Sequence, residues 1–105
     1  MKLKMLRYAV AAAVGVMLST QPASADEALA QAKGCMACHS VDNKLVGPAF
    51  KDVAAKYKGT DGAAGTLAGK IKSGSSGTWG EVPMPPQSAL SDDETAALAA
   101  WVLSL

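Results

Sequence analysis

The most reactive side chains of this sequence lie together in the run CMACH, which contains Cys35, Cys38 and His39. Two thiols separated by two residues, with an imidazole directly after the second, have the spacing by which haem is covalently attached to protein. The two cysteines lie one helical turn apart, so both face the same edge of a flat macrocycle. We therefore predict that Cys35 and Cys38 bind one haem c through thioether bonds and that His39 is the proximal ligand of its iron.

Three other interpretations of the CxxC pair are weaker. A thioredoxin-like redox couple requires a preceding strand in a βαβ setting, and the sequence shows neither. A structural zinc site requires four ligands, whereas Cys35, Cys38 and His39 are the only cysteines and histidine in the chain. A simple disulfide would leave His39 unexplained, and closing so short a loop removes little entropy from the unfolded chain.

The N-terminal residues have the organisation of a secretory signal peptide. Three basic residues precede an apolar stretch over residues 9–18, and the small residues 23–25 form a cleavage site. The apolar stretch is shorter than the roughly 20 residues that span a bilayer, so an uncleaved membrane anchor is the weaker alternative. We predict that residues 1–25 are removed after Ala25 on export to the periplasm, and that residues 26–105 form one domain that does not insert into the membrane.

Cleavage would change both the charge and the size of the functional chain. Three of the ten basic residues leave with the leader, so seven remain against nine acidic ones, a net charge of −2 with the histidine neutral. A domain of about 80 residues builds a core that supplies only a few kcal/mol by itself. A buried haem is therefore expected to be structural as well as functional.

The apolar periodicity after the leader is helical, and no segment alternates as a strand does. The apolar positions of three predicted helices are Ala28, Leu29 and Ala32; Phe50, Val53, Ala54 and Tyr57; and Ala64, Leu67, Ala68 and Ile71. Pro48 is expected to open the second of them. The last predicted helix has a capping-box pattern, Ser91 with Glu94, and an apolar stripe formed by Leu98, Trp101, Val102 and Leu105. The sequence therefore predicts an all-α fold.

The segment before the last helix is predicted to be a long ordered loop or a linker. The run SGSSGTWG, residues 73–80, breaks the helical periodicity. Pro83, Pro85 and Pro86 then exclude a helix or a central strand.

The second iron ligand can be inferred by elimination. The chain has a single histidine, and three of its five methionines lie in the leader, which leaves Met36 and Met84. Met36 lies inside the attachment turn on the same side as His39, so we predict that it is only packing or exposed. Met84 among its prolines would be ordinary core packing without a haem; with a haem, we predict that it is the distal ligand. His/Met ligation raises the haem potential and suits electron transfer.

Four segments in this order and spacing resemble the small class I bacterial cytochromes c of the c-551 type, also called c8: KGCMACHS, KLVGPAFKDVAAKYKG, IKSGSSGTWGEVPMPP and SDDETAALAAWVLSL. The resemblance covers residues 26–105 and implies the class I cytochrome c fold, with four to five short helices around one covalently attached haem. It also implies a monomeric periplasmic electron carrier. Such a carrier takes single electrons from a quinol-oxidising complex or another cytochrome of the respiratory chain and delivers them to a nitrite reductase or a terminal oxidase.

The resemblance also assigns residues around the haem. Pro48 matches the family proline whose carbonyl accepts the His39 Nδ1–H, a bond that fixes the imidazole tautomer. Lys70 and Trp79 match the partners of a haem propionate. Gln87 stands where relatives commonly carry Asn, and its extra methylene leaves open whether the amide reaches the Met84 sulfur.

The competing hypothesis is a haem domain with an open sixth position that acts as a ligand sensor or a peroxidase module, and a binding or assembly role is a third class. Met84 discriminates between these classes. The sequence offers no second histidine, and only Glu81 is an acidic residue near Met84, so a distal acid or base is not evident. We therefore expect an electron carrier that is not an enzyme, with redox proteins and no nucleic acid as partners.

The exposed haem edge of the family implies an apolar docking patch. The residues expected in this patch are Met36, Ala37, Val46, Gly47, Val82 and Pro85, and those expected in a basic rim are Lys33, Lys44 and Lys51. The near-neutral net charge argues against strong electrostatic steering by the whole molecule.

Overall fold

The structure is a computed structural model that describes residues 27–105. The predicted signal peptide and its cleavage site lie outside these residues. The described chain contains four α-helices and a short 3₁₀ turn at Cys35–Ala37; the helices are α1, Glu27–Ala32, α2, Phe50–Tyr57, α3, Ala63–Ser73, and α4, Asp92–Leu103. Extended pairing within residues 27–105 is limited to one antiparallel bridge between Ser75 and Met84. The prediction of an all-α fold is confirmed.

Helix α4 is the element on which the other helices pack, since it contacts α1, α2 and α3. Its N-terminus has the predicted capping box. The Ser91 hydroxyl accepts from the Glu94 backbone N–H at 3.1 Å, and a Glu94 carboxylate oxygen accepts from the Ser91 N–H at 3.1 Å. Two donors that the helix itself leaves unpaired are thereby satisfied. In residues 27–105, none of the helices is long and apolar enough to cross a bilayer.

Two lysines fasten neighbouring elements to the first turn of α4. Lys33, which follows α1, lies 2.7 Å from a Glu94 carboxylate oxygen. Lys72 of α3 donates to the Leu90 carbonyl and lies 3.4 Å from Asp92. The Lys33 ammonium, and then the Ser91 N–H, hold the pKa of Glu94 below its ordinary value.

The apolar faces were predicted with unequal success. All four predicted residues of α2 are buried, but Pro48 does not open this helix, which begins two residues later at Phe50. In α3 the predicted apolar stripe began at Ala64. The structure instead buries Ala63 and exposes Ala64. Helix α4 ends at Leu103, and Leu105 lies beyond it and is exposed. In α1 the fully buried residue is Ala30, which the periodicity did not select.

Candidate functional site

A cavity of about 750 Å³ opens between the 3₁₀ turn, the helices and the loop that precedes α4. Its volume lies in the range of about 300–1,000 Å³ that small-molecule and cofactor sites occupy. Four of the sequence-predicted residues line it together: Cys35, Cys38, His39 and Met84. Its inner wall consists of core side chains, among them Phe50, Leu67, Leu98 and Trp101.

The attachment motif forms a tight turn on one wall of this cavity. Gly34 enters the turn in the left-handed conformation, with φ of 78°, which glycine adopts at no steric cost. The backbone N–H groups of Cys38 and His39 then both donate to the Cys35 carbonyl, at 3.2 and 3.0 Å. These bonds bring both sulfur atoms and the imidazole to one cavity wall.

The surroundings of the two cysteines do not match those of a redox couple or a zinc site. Both are free thiols. Burial raises the pKa of the Cys35 thiol, whereas a redox-active CxxC cysteine has a lowered pKa. Within residues 27–105, no three His, Cys, Asp or Glu side chains converge as metal ligands, which excludes a zinc cluster in that part of the chain.

The His39 ring is held in one orientation from three directions. Its Nδ1 atom donates to the Pro48 carbonyl at 2.8 Å, which leaves Nε2 as the nitrogen with a free lone pair. The ring stacks on Phe50 at a centroid distance of 4.7 Å and an interplanar angle of 21°. Phe50 in turn packs edge-on against Trp101 of α4, at 5.3 Å. The imidazole is thereby coupled to the core of the molecule.

Gly47 closes the third side of the imidazole. A Cβ atom at this position would lie 2.5 Å from His39 Cε1 and 2.9 Å from Nδ1, closer than non-bonded heavy atoms approach. The Gly47 N–H donates to the Cys38 carbonyl at 2.8 Å, so the loop after the motif folds back along it. The absence of a side chain at Gly47 therefore permits the contact that orients the imidazole.

Met84 lies on a loop that is fastened to the end of α3 by its backbone. The Met84 N–H donates to the Ser75 carbonyl at 2.8 Å, and the Ser75 N–H donates to the Met84 carbonyl at 3.1 Å. Gly74 precedes this bridge with φ of 78°, and a Cβ atom there would lie 2.7 Å from the Met84 carbonyl oxygen. The segment is thus an ordered loop rather than a linker.

Gln87 also attaches this loop to α3 through its backbone, and its side-chain amide does not reach the sulfur of Met84. Its backbone N–H donates to the Ile71 carbonyl at 3.0 Å, and its side-chain amide donates to the Pro85 carbonyl at 3.1 Å. The longer side chain therefore turns back onto its own loop.

Lys70 and Trp79 both line the cavity, but their present contacts are with other groups. The Lys70 ammonium donates to the Thr78 hydroxyl at 3.2 Å. Trp79 is exposed, so its indole N–H does not need a protein partner, and the Lys56 ammonium lies 5.6 Å from the centroid of its ring. This distance is within the range of a cation–π contact.

Two segments form the mouth of the cavity, residues 44–48 and 79–85, and every residue in them lines it. We call them the mouth segments. Four of the five exposed large apolar residues in residues 27–105 belong to them: Leu45, Val46, Trp79 and Val82, at 51, 59, 40 and 64% exposure. Met36, predicted for this surface, instead packs against the core.

The predicted basic rim is reduced to one residue. Lys33 is paired with Glu94, and Lys51 lies 2.7 Å from Asp42. Lys44 alone of the three predicted lysines lines the cavity and belongs to a mouth segment.

Sequence reasoning missed the roles of Gly47, Gly74, Ser75 and Lys56. A Gly-Pro dipeptide marks a turn, and that signal at Gly47 was available. The contacts of Ser75 with Met84 and of Lys56 with Trp79 join separate segments of the chain, and no local sequence pattern indicates them.

The donor set fits a haem rather than a hydrated metal ion. His39, which carries an imidazole, and Met84, which carries a thioether, line a cavity with largely apolar walls, and two thiols stand at the spacing of thioether attachment. These are ligands that c-type haem proteins use, whereas Mg²⁺ or Ca²⁺ would require several oxygen ligands.

Comparison with known proteins agrees with this geometry. Residues 25–105 match the cytochrome c family. The chain is 54% identical to cytochrome c-552 of Nitrosomonas europaea over 89% of this chain and 90% of the relative. It is 55% identical to cytochrome c-551 of Pseudomonas aeruginosa over 88% of each. The crystal structure of the wild-type Nitrosomonas europaea cytochrome c552 covers 76% of this chain and 99% of its own, with a TM-score of 0.75 and 57% identity.

Proposed function

Because the chain belongs to the cytochrome c family and is an electron carrier with one covalently bound haem c, we propose that His39 and Met84 ligate the haem iron and that the protein shuttles single electrons in the periplasm. The observation that carries this proposal is that one imidazole and one thioether line the same cavity as the two cysteines of the attachment motif. The bound haem supplies the one-electron redox chemistry.

The residues around His39 prepare Nε2 as the proximal donor. The Pro48 carbonyl accepts a hydrogen bond from His39 Nδ1–H, so Nε2 is the nitrogen that would bind the iron. Such a hydrogen bond also makes the imidazole a stronger donor. Phe50 and Gly47 restrict rotation of the ring, which keeps the ligand in place in both oxidation states.

The residues around Met84 support an occupied sixth position rather than an open one. Its backbone is held on both its N–H and its carbonyl by Ser75. A thioether is a soft donor that favours the ferrous state and raises the potential. This fastening argues against the sensor or peroxidase alternative, which needs a vacant position.

Lys70 and Trp79 are proposed to bind a haem propionate. Both line the cavity, and an ammonium and an indole N–H are the donors that a carboxylate accepts from. In that case the Lys70 ammonium exchanges its Thr78 hydroxyl for a charged acceptor.

Export and partners complete the proposal. The leader pattern in residues 1–25 supports cleavage after Ala25 and a periplasmic location. We propose that the donor is a quinol-oxidising complex or another cytochrome, and that the acceptor is a nitrite reductase or a terminal oxidase.

The test is spectroscopy of protein isolated from a bacterial periplasm. We expect a polypeptide that begins at Asp26, weighs one haem more than its amino acids and keeps the haem after acid-acetone extraction. Both oxidation states are expected to be low spin, with a weak near-infrared band from the sulfur–iron bond in the ferric state. Met84→Ala should abolish this band and lower the potential.

Met36→Leu is the matched control, since it removes the other methionine of the mature chain. This variant should keep the band. Loss of the band in Met36→Leu with retention in Met84→Ala would refute the ligand assignment, and free thiols without added mass would refute covalent attachment.

A further inference from the structure

Residues 76–83 form a loop whose two ends are joined by the bridge between Ser75 and Met84. Within residues 27–105, the backbone hydrogen bonds outside the helices do not involve this loop. Gly77 and Gly80 adopt positive φ values of 82° and 120°, so the loop follows a path that other residues rarely take. The backbone therefore fixes the base of the loop and leaves its tip to side-chain contacts.

Two side-chain contacts fasten this loop to the helices. The Lys70 ammonium of α3 donates to the Thr78 hydroxyl at 3.2 Å. The Lys56 ammonium of α2 lies 5.6 Å from the centroid of the Trp79 ring, within the range of cation–π attraction, which is strongest for tryptophan. Among the hydrogen bonds, ion pairs and ring contacts found in residues 27–105, these two join side chains of the loop to a helix.

The two lysines differ in their access to the cavity. Lys70 lines the cavity together with Trp79, whereas Lys56 does not belong to its lining. When Lys70 exchanges the Thr78 hydroxyl for a haem propionate in the proposed haem site, the contact of Lys56 with Trp79 still fastens the loop to a helix. Lys56 is exposed and takes part in none of the ion pairs found in residues 27–105, so no carboxylate in that part of the chain holds its ammonium away from the ring.

We propose that Lys56 is a positioning residue for the bound haem: its ammonium holds the Trp79 ring at the cavity, so that the indole N–H stays hydrogen-bonded to a haem propionate. This inference rests on the proposed function, in which Trp79 donates to that propionate. Because Trp79 is 40% exposed, water competes for both the N–H and the carboxylate, and a ring held by Lys56 shifts this competition toward the direct bond. A propionate that keeps its donor stabilises ferric iron less, so Lys56 is expected to raise the potential.

The first test is the exchange of the Trp79 indole N–H with water, measured by NMR in the ferrous holoprotein. Lys56→Gln removes the cation and keeps a similar helix propensity. The exchange rate should rise about two- to fivefold, the factor that an exposed cation–π contact contributes to an equilibrium. Lys56→Arg keeps a cation that stacks on aromatic faces and should exchange at the wild-type rate. The buried Trp101 indole is the internal reference and should be unchanged.

The reduction potential is a second readout, and a purely structural role of Lys56 would not move it. Lys56→Gln should lower the potential, and Lys56→Arg should keep it. Lys58→Gln is the matched control, because it removes an equal charge from the end of the same helix, at an exposed residue that does not line the cavity. This control should change the potential less and should leave the Trp79 exchange rate at its wild-type value.

Trp79→Phe distinguishes action through the indole from a direct effect of the lysine charge. Phenylalanine keeps an aromatic ring but lacks the N–H. If Lys56 acts through that N–H, Lys56→Gln should lower the potential of the wild-type protein and leave that of the Trp79→Phe protein unchanged. Equal shifts in both backgrounds would show that the ammonium acts on the iron by its charge alone, and would overturn the inference.

The outcomes separate this inference from the proposed function. Trp79 exchange in Lys56→Gln as slow as in Lys58→Gln would overturn the inference alone, since the propionate bond would then persist without the cation. A Trp79→Phe protein with the wild-type potential, together with a wild-type Trp79 N–H that exchanges as fast as that of free tryptophan, would refute the proposed propionate bond and the inference with it.

Discussion

At the scale of single residues, the orientation of the His39 imidazole depends on a residue that has no side chain. The hydrogen bond that His39 Nδ1–H donates to the Pro48 carbonyl, at 2.8 Å, fixes which ring nitrogen carries the proton. That contact requires the loop to lie against the ring, and Gly47 is the residue that lets it do so. A glycine without catalytic or ligating atoms thus helps to decide which imidazole nitrogen stays free of the protein.

Gly47→Ala is therefore expected to be damaging. The added methyl would lie 2.5 Å from His39 Cε1, so the ring or the loop must move. We expect a loss of about 1–3 kcal/mol in the free energy of unfolding, typical of overpacked sites. The potential should rise, because a weaker Pro48 hydrogen bond makes the imidazole a weaker donor to ferric iron. Urea unfolding and voltammetry of the holoprotein measure the two effects.

Gly65→Ala is the control for this variant. Gly65 lies in α3, and no heavy atom lies within 4 Å of a Cβ built there. Because glycine weakens a helix interior relative to alanine, this change should stabilise the protein by about 0.5–1 kcal/mol. Equal stability of the two variants would show that the His39 contact does not constrain position 47.

At the scale of elements, the loop between α3 and α4 is ordered by its backbone rather than by secondary structure. The Ser75 backbone forms hydrogen bonds with both the N–H and the carbonyl of Met84, and the Ile71 carbonyl accepts a hydrogen bond from the Gln87 N–H. Lys72 reaches the Leu90 carbonyl at the end of the same loop. A proline-rich segment that can form neither helix nor sheet is thereby held on the last turns of α3, and Met84 is positioned with it.

The capped N-terminus of α4 should give the stability a pH dependence. The pKa of Glu94 is below its ordinary value near 4.5, so its ion pair with Lys33 adds stability above that pH. The contribution should disappear as the pH falls from about 4.5 through the lower value in the folded protein. Glu94→Gln keeps the capping hydrogen bond but removes the charge, so its deficit in Tm at pH 7 should shrink below pH 4.

Asp93→Asn is the comparison for this prediction. It removes an equal charge from the same helical turn, at a residue outside the ion pairs found in residues 27–105. Thermal melts across pH 3–8 should show a smaller pH-dependent difference for this variant. An Asp93→Asn profile identical to that of Glu94→Gln would assign the effect to helix electrostatics rather than to Lys33.

At the scale of the whole molecule, the hydrophobic core and the cofactor site are one structure. Phe50, Leu67 and Trp101 are core residues and also line the cavity. A haem held in this cavity would pack directly on the core that α4 organises. The same arrangement leaves the apolar side chains of the mouth segments exposed at the surface.

Docking to a redox partner should depend on the apolar surface more than on a single lysine. Val46→Glu and Val82→Lys introduce opposite charges into the mouth, and both should slow the second-order electron-transfer rate to a nitrite reductase or an oxidase. Burial of a valine contributes about 1.5 kcal/mol or more, which corresponds to roughly tenfold in rate. Lys44→Ala should slow this reaction less.

Stopped-flow rates at several ionic strengths distinguish this surface from electrostatic docking. If Val46→Glu and Val82→Lys change the rate in opposite directions, with a steep salt dependence, charge rather than apolar contact controls docking to that partner.

The sequence alone determined the helical class and the capping box, and it predicts haem attachment at Cys35 and Cys38 and the choice of Met84 over Met36. These features are local: they depend on residue type, spacing and elimination, and a chain with one histidine leaves few alternatives. Helix faces were less reliable, as Ala63 and Ala64 show, because a neighbouring helix selects which small residue it covers.

Only the tertiary structure decided how His39 and Met84 are held. The contacts of Gly47 with His39, of Ser75 with Met84 and of Lys56 with Trp79 join residues 8, 9 and 23 positions apart. It also decided which lysines remain unpaired, since Lys33 and Lys51 meet acids that sequence spacing did not identify. Such contacts form when packing brings separate segments together. The periodicity of residues along one segment does not indicate which other segment it will contact.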